Sequence, residues 1–408
     1  RGVVVGYDHR ARGSPGAWHM SSHRFAQLTA VALITAGVKV HLFNRLACTP
    51  LVPYGIRVTG ALAGVVVTAS HNPKQDDGYK VYWENGAQII SPVDKAIADA
   101  ILANLAPWPA AAATYAATAS DADVAAYATA RGAAHLLTDP TEELVAGFIS
   151  RSAAALCRHR AENGAGTVKV AYTAMHGVGT PFTAAMFDAF GLPPFVRTPE
   201  QVEPDPTFPT VEFPNPEEGK GALALAMRTA TAAGASLILA NDPDADRLAV
   251  AEWVPATPGG AVGSEGGSWK IFTGNEIGAL LAHWAWVGYA AAGGKAADAV
   301  MTASTVSSKF IAAMAAAHGF TFQETLTGFK WMGNAMAAHE AAGRTVLFSF
   351  EEAIGFCCGG LVRDKDGVTA AAVFAEMANS LARAGTTCFA HLQHLYAVRC
   401  VGGGAVAG

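Results

Sequence analysis

Ala235-Ser-Leu-Ile-Leu-Ala240 runs directly into Asn241-Asp242-Pro243-Asp244-Ala245-Asp246-Arg247. An apolar run of this length, stopped by Asn, Asp and Pro, reads as a buried strand that ends in a loop. Side chains alternate with period two in an extended segment, so Asp242, Asp244 and Asp246 are expected on one side, where they offer hard oxygen ligands to a divalent cation. Mg²⁺ is the ion this reading selects. A calcium-hand loop fails on spacing, because its sixth position is Arg247 rather than Gly and its twelfth is Trp253 rather than Glu. A solvated acidic turn is the plainer alternative, but three carboxylates at a strand end repel one another unless a cation joins them.

The same strand-to-loop punctuation recurs outward in both directions. Gly2-Val-Val-Val-Gly-Tyr7 ends at Asp8, Gly64-Val-Val-Val67 ends at Thr68, and Thr345-Val-Leu-Phe-Ser-Phe350 ends at Glu351. Helical stretches separate them, among them Ser21–Gly37, Pro92–Leu105 and Gly219–Ala233, so the organisation is α/β. The Ala-rich stretch from Pro107 to about Ala130 reads as a linker or a loosely specified helical connector, and a Gly-rich loop at Gly259–Gly267 marks a second joint. Three tandem units are expected, over 1–140, 160–262 and 268–395. No repeat is strong enough to prove internal duplication.

Composition agrees with a folded enzyme. The 408 residues carry 28 basic against 33 acidic side chains, a net charge of −5, and 51% are hydrophobic against 15% charged. That balance excludes a disordered chain and a basic nucleic-acid binder. Cys48, Cys157, Cys357, Cys358, Cys388 and Cys400 form no CxxC pair and no secreted framework, which points to a reducing compartment, read as the cytoplasm. Ile277–Gly294 mimics a membrane span, but His283 and its glycines favour a buried helix, so no membrane is expected. No signal peptide opens the chain, which begins at Arg1 and reads as a piece that starts inside a gene product.

Thr68-Ala-Ser70-His71-Asn72-Pro73-Lys74 also follows an apolar strand, so Ser70 sits where α/β proteins place reactive groups. His71, as the adjacent residue, is expected to point away, and no GxSxG elbow occurs. Such a loop is ordinarily a polar turn. A metal site elsewhere changes its meaning, because a serine phosphate could complete the coordination of Mg²⁺. Thr327-Gly328-Phe329-Lys330-Trp331 joins a flexible Gly to a cation and aromatics, and Ser349-Phe-Glu351-Glu352 puts paired carboxylates past a strand. Sugar hydroxyls suit such acceptors and phosphate suits the cation. Arg363-Asp-Lys365-Asp-Gly367 reads as a solvated charged turn, and Asp8-His-Arg10 as either an anion contact or surface charge. Neither GxxxxGK[ST] nor a strand-linked GxGxxG is present.

Thr68–Lys74, Asn241–Arg247, Thr327–Lys330 and Phe350–Glu352, in that order, resemble the α-D-phosphohexomutase family over nearly the whole chain. Gly78-Tyr-Lys-Val-Tyr-Trp-Glu-Asn-Gly-Ala-Gln88 and Phe213-Pro-Asn-Pro-Glu-Glu-Gly-Lys220 look most like its eukaryotic phosphopentomutase and glucose bisphosphate synthase branch. The resemblance implies tandem α/β domains with mixed sheets and a phosphosugar mutase acting on hexose or pentose phosphates through a bisphosphate intermediate. It implies that Ser70 is the phosphoserine and binds Mg²⁺ together with Asp242, Asp244 and Asp246, and that Arg247 supports their loop. It further implies that Arg10, Arg247, Thr327, Gly328, Lys330, Glu351 and Lys365 contact substrate, and that Arg10 and Lys74 assist at the transferring phosphate. His71 and Lys74 are both candidates for the general base. Glucose 1,6-bisphosphate, or a pentose bisphosphate, is the implied activator, sugar phosphates are the partners, and a monomer is expected.

Two departures from the family pattern stand out. Phe350-Glu-Glu-Ala353 has Ala where many members have Ser, and no Thr-Ser-Gly-Thr loop of a fourth domain occurs before Gly408. The Gly-rich, Arg-bearing loop that members carry ahead of the first strand is absent too. Three other readings follow: a sugar bisphosphate synthase using an acyl phosphate donor, a non-catalytic sugar-phosphate-binding form, and a metal-dependent phosphatase.

Overall fold

The computed structural model describes residues 1–12, 20–106, 120–218, 220–257 and 259–401. The first sheet is built on β1 (Gly2–Tyr7), every residue of which is buried. After the two-residue hairpin β2 (Ala11–Arg12) and β3 (Met20–Ser21) come β4 (Lys39–Leu42), β5 (Ala63–Val67), β6 (Tyr79–Trp83) and β7 (Leu137–Thr138), in the order β6-β5-β1-β4-β7. Only β6 runs antiparallel to its neighbour. Continuous Val runs in β1 and β5 suit strands covered on both faces. Gly64 permits one of those coverings, since a Cβ there would lie 2.6 Å from Val52 and 2.7 Å from Ile56 of the helix Leu51–Thr59.

The Ala-rich stretch divides. Residues 107–119 lie outside the described residues, but Asp121–Ala130 is a helix capped by Ser120, and it buries Val124 and Ala128 against the first sheet. Its second half is therefore core-facing rather than a connector.

The second sheet comprises β8 (Val170–Thr173), β9 (Val196–Arg197), β10 (Leu237–Ala240), β11 (Ala249–Val254) and β12 (Ser268–Ile271), ordered β12-β11-β10-β8-β9. β12 corrects the expected boundary at residue 268. The Gly-rich loop turns the chain back on itself, so β12 pairs antiparallel with β11, Trp253 opposite Trp269, and closes the second sheet instead of opening the third. The third sheet has β13 (Ala299–Ser304), β14 (Thr321–Thr325), β15 (Thr345–Glu351) and β16 (Gly355–Cys358) in the order β14-β13-β15-β16, with only β16 antiparallel.

One apolar core runs through all three units, from Val4 and Phe43 through Leu239 to Phe348 and Phe374. The helix Gly367–Arg383 is buried from Gly367 to Asn379 and packs on both the helix Gly179–Phe190 and β16. Its Ala-rich sequence allows that close approach. The Ile277–Gly294 stretch is the helix Gly274–Ala291, started by a Thr273–Glu276 capping box and buried through Leu280 and Leu281. Among the described residues no helix is long and apolar enough to cross a membrane.

Candidate active site

Parallel strands deliver their carboxyl ends to one place, and loops there inherit the site. β5 ends at Thr68 and Ser70, β10 at Asn241–Arg247, β1 at Asp8–Arg10, and β15 at Glu351. Ser70 sits at a φ of 52°, a left-handed conformation unusual for a residue with a side chain, and its N–H donates to Thr68 Oγ1 at 2.8 Å. The bend delivers Ser70 Oγ to 3.0 Å from Asp242 Oδ2. It also turns His71 back, so that Nδ1 lies 3.3 Å from Ser70 Oγ. The expectation that His71 points elsewhere is thus corrected, because period-two alternation does not survive a left-handed residue. Burial, with the Arg247 guanidinium beside it, pushes the His71 imidazole down to about 4.

Asp242, Asp244 and Asp246 are fully buried, and one oxygen of each lies within 4.8 Å of the others. Their convergence has a different origin from strand alternation. Residues 242–246 form a turn, with Ala245 N–H donating to Asp242 O at 2.9 Å and Ala245 at a φ of 57°. Asp242 Oδ1 accepts from the Arg247 N–H at 2.9 Å. Burial and the two neighbouring carboxylates raise the Asp242 carboxyl well above its usual range. Burial pushes Asp244 the same way, but the Lys80 ammonium outweighs it and holds that carboxyl far below its ordinary value.

Lys80, from β6, reaches Asp244 Oδ2 at 2.6 Å and Asp246 Oδ2 at 2.5 Å. Lys365 adds a second ammonium 3.3 Å from Asp246 Oδ2. Thr49 donates its hydroxyl to Asp244 Oδ2 and its N–H to Asp244 O at 2.9 Å. Asp244 Oδ1 and Asp246 Oδ1 are left buried with no partner. Buried oxygens of this kind call for a ligand. The donor set, hard carboxylates beside a serine hydroxyl, fits a divalent cation held by Asp242, Asp244 and Asp246.

The sequence singled out neither Lys80 nor Thr49. A usable signal existed for Lys80, a cation on the same strand parity as buried Tyr82. Thr49 carried none, since its partner lies 195 positions away.

The order and extent of these loops match known proteins. Residues 1–108, 147–253 and 273–397 correspond in turn to the alpha/beta/alpha domains I, II and III of phosphoglucomutase/phosphomannomutase. The chain belongs to this family. It is 45% identical over 399 residues to phosphopentomutase of Mus musculus, covering 97% of the chain and 60% of that protein. It is 43% identical over 384 residues to glucose 1,6-bisphosphate synthase of Homo sapiens, covering 93% of the chain and 57% of that protein. The chain thus spans about three-fifths of the length of the curated relatives it matches. A crystal structure described as a putative phosphomannomutase from Thermus thermophilus shares the fold, with a TM-score of 0.72 at 21% identity over 98% of the chain and 75% of that one.

The other residues of this candidate site fall into three groups. Arg247 links the Asp turn to domain III, its Nη1 donating to Ala353 O at 3.0 Å while its main chain bridges Gly355. Glu351 is buried near Lys365; burial raises its carboxyl, opposed by the Lys365 and Arg247 cations. Its neighbour Glu352 turns the other way and accepts from Ser304 Oγ at 2.8 Å and Ser307 Oγ at 3.0 Å, so the paired carboxylates split into one site group and one structural group.

Lys365 is buried rather than solvated, which corrects the surface-turn reading of 363–367; Asp364 beside it accepts from Tyr82 Oη at 2.6 Å and Gln88 Nε2 at 2.8 Å. Thr327 is exposed, Gly328 starts the helix Phe329–Ala341 at a φ of 106°, and Lys330 lies 5.6 Å over the Trp331 ring. Lys74 is exposed and lines a cleft of about 560 Å³ with Phe208, Thr210 and Glu212. Arg10 does not face that cleft: its guanidinium is buried and donates to Ser70 O (2.6 Å), Asn72 O (2.8 Å), Pro73 O (2.9 Å) and Asp76 O (3.3 Å).

Proposed function

We propose that the chain is a phosphosugar mutase that carries a phosphoryl group on Ser70 and exchanges it between the 1-position and the 5- or 6-position of a pentose or hexose phosphate. The observation that carries this reading is the placement of Ser70 Oγ 3.0 Å from Asp242 within a buried triad of carboxylates. Phospho-Ser70 gives its phosphoryl group to a sugar monophosphate hydroxyl, the bisphosphate turns round, and its other phosphoryl group returns to Ser70. Glucose 1,6-bisphosphate or a pentose bisphosphate reloads a dephosphorylated Ser70 by the same half-reaction.

The residues present have distinct tasks. Asp242, Asp244 and Asp246 would hold Mg²⁺ with an oxygen carried by Ser70, and the ion supplies charge neutralisation to the phosphoryl oxygens. Lys80 and Thr49 fix the carboxylates, and Arg247 fixes their turn against domain III. Positioning and preset electrostatics are what phosphoryl transfer chiefly requires of a protein. The general base that takes the sugar hydroxyl proton is one of two candidates: His71, whose imidazole is kept neutral near pH 7 by burial and lies 3.3 Å from Ser70 Oγ, and Lys74 on the cleft. Thr327, Gly328, Lys330, Glu351 and Lys365 form the sugar-phosphate side. The free thiols at Cys48, Cys157, Cys357, Cys358 and Cys388 accord with the cytoplasm, where we place the chain as a monomer.

Intact mass before and after incubation with glucose 1,6-bisphosphate and Mg²⁺ tests the reading. One phosphoryl unit should be gained by the native chain and none by Ser70→Ala; equal labelling of both would remove Ser70 from the mechanism. Replacing the bisphosphate by an acyl phosphate donor separates a bisphosphate synthase from a mutase.

A further inference from the structure

The nucleophile loop depends on a residue of another domain. Ser70, Asn72, Pro73 and Asp76 point four carbonyl oxygens inward at a single guanidinium, that of Arg10. Carbonyl dipoles aimed at one point repel one another, so this loop shape exists only while Arg10 stays in register. On its other side Arg10 is held by a buried ion pair, its Nε 3.4 Å from Asp8 Oδ2 without hydrogen-bond geometry, so charge attraction alone acts there. What covers the guanidinium is the Phe208 ring, whose centroid lies 5.3 Å from Arg10 Cζ. Burial strengthens such a contact between a cation and an aromatic face.

Phe208 is built into that position at a conformational cost. It is 3% exposed and sits at a φ of 47°, in the left-handed region that bulky residues avoid. His176, which meets the Phe208 ring, and Met175 before it have φ values of 64° and 48°. Polar ties hold the strained segment: Thr210 Oγ1 meets His176 Nε2 at 2.7 Å and Gln201 Nε2 at 2.9 Å, and Asp205 N–H donates to His176 O at 2.9 Å. The ring is boxed by His9 at 5.1 Å and by His176 edge-on at 6.3 Å. Strain this concentrated, on a residue outside the reacting groups, points to a task that the side chain performs for its neighbour.

We propose that Phe208 is a positioning residue for the phosphoryl-carrying serine: its ring face fixes Arg10, and Arg10 fixes the loop that sets Ser70 against Asp242. The effect on phosphoryl transfer rests on the mutase reading, whereas the effect on loop order does not. Displacement of a reacting group by about 1 Å costs on the order of 100-fold in rate. Phe208→Leu should therefore slow phosphoryl uptake by Ser70 from glucose 1,6-bisphosphate by about 10- to 100-fold, while Phe208→Tyr, which keeps the ring face, should stay near the native rate.

The test is hydrogen exchange of the loop amides of residues 70–77 in the full chain, run beside the labelling rates. Faster exchange there in Phe208→Leu, with native protection in Phe208→Tyr, supports the proposal. Unchanged exchange and unchanged labelling in Phe208→Leu overturn it, and equal loosening in both variants shows that ring volume, not the ring face, is at work, which also overturns it. If Phe208→Leu does not fold, Phe208→Met, close in volume and without a ring, takes its place. If the native chain takes up no phosphoryl group, the mutase reading fails and loop exchange alone still decides the role of Phe208.

Discussion

Lys80→Met removes the ammonium that two buried carboxylates share while keeping an apolar stem of similar length. At 2.6 Å and an effective dielectric constant near 20, each Lys80–carboxylate attraction amounts to roughly 6 kcal/mol before desolvation is counted. Desolvation of the ammonium offsets much of this, and removing one partner of a buried pair costs a net ~3–5 kcal/mol because the other is left uncompensated. Lys365, 3.3 Å from Asp246, takes up part of the loss, which puts the expectation at the lower end of that range. A divalent cation on the triad should replace the missing charge, so the penalty should shrink when Mg²⁺ is present. Urea transitions of the native chain and Lys80→Met, with EDTA and with saturating Mg²⁺, measure both quantities. A midpoint in EDTA that does not move, or a deficit that Mg²⁺ leaves untouched, would refute the assignment of Lys80 as the counter-charge of a cation site.

Asp244→Asn removes one ligand charge and one of the two carboxylate oxygens, and with them the charge that Lys80 and Thr49 share; binding of Mn²⁺, followed by its electron-spin signal as a stand-in for Mg²⁺, should weaken by at least tenfold, and an unchanged isotherm would count against the triad as ligands. Asp366 caps the helix Gly367–Arg383 by accepting from the Thr369 N–H at 2.9 Å, and burial raises its carboxyl to about 6 from 3.8. The folded chain thus holds this proton more tightly than the unfolded one, so the stabilisation is complete below about pH 4 and is lost as pH rises through about 6. Asp366→Asn, which keeps an acceptor and has no charge, should gain up to ~3 kcal/mol over the native chain at pH 7 and nothing at pH 3.5; a difference that is flat across that range would show that the carboxyl is not buried as described.

The legible parts of this protein were those written in short segments. Val runs in β1 and β5, the Ala235–Ala240 strand and the polar residues that stop them placed Ser70 and the Asp triad at strand ends without any knowledge of the tertiary structure. Backbone exceptions were not legible. Ser70 and Ala245 adopt left-handed conformations that neither residue type advertises, and it is these that bring His71 back to Ser70 and gather the three carboxylates. Long-range electrostatics was equally hidden. Lys365 reads as a surface cation until the fold buries it beside Asp246, and Thr49 gains its role only when domain II docks on domain I. Arg10 was visible as a cation in the right loop, but a sequence cannot say that four carbonyls of another loop will surround it.

The three carboxylates all belong to domain II, whereas the ammoniums that balance them come from domain I, through Lys80, and from domain III, through Lys365. No single domain could therefore mature this site alone. Without those domains the turn would keep only Arg247 as a cation, leaving Asp244 and Asp246 without their paired ammoniums. In a chain made from its N-terminus, the counter-charge from Lys80 is synthesised before the carboxylates and that from Lys365 after them, so the charge set is complete only once the third unit has docked. The acidic turn thereby acts as a lock that needs two keys, one supplied early in synthesis and the other late.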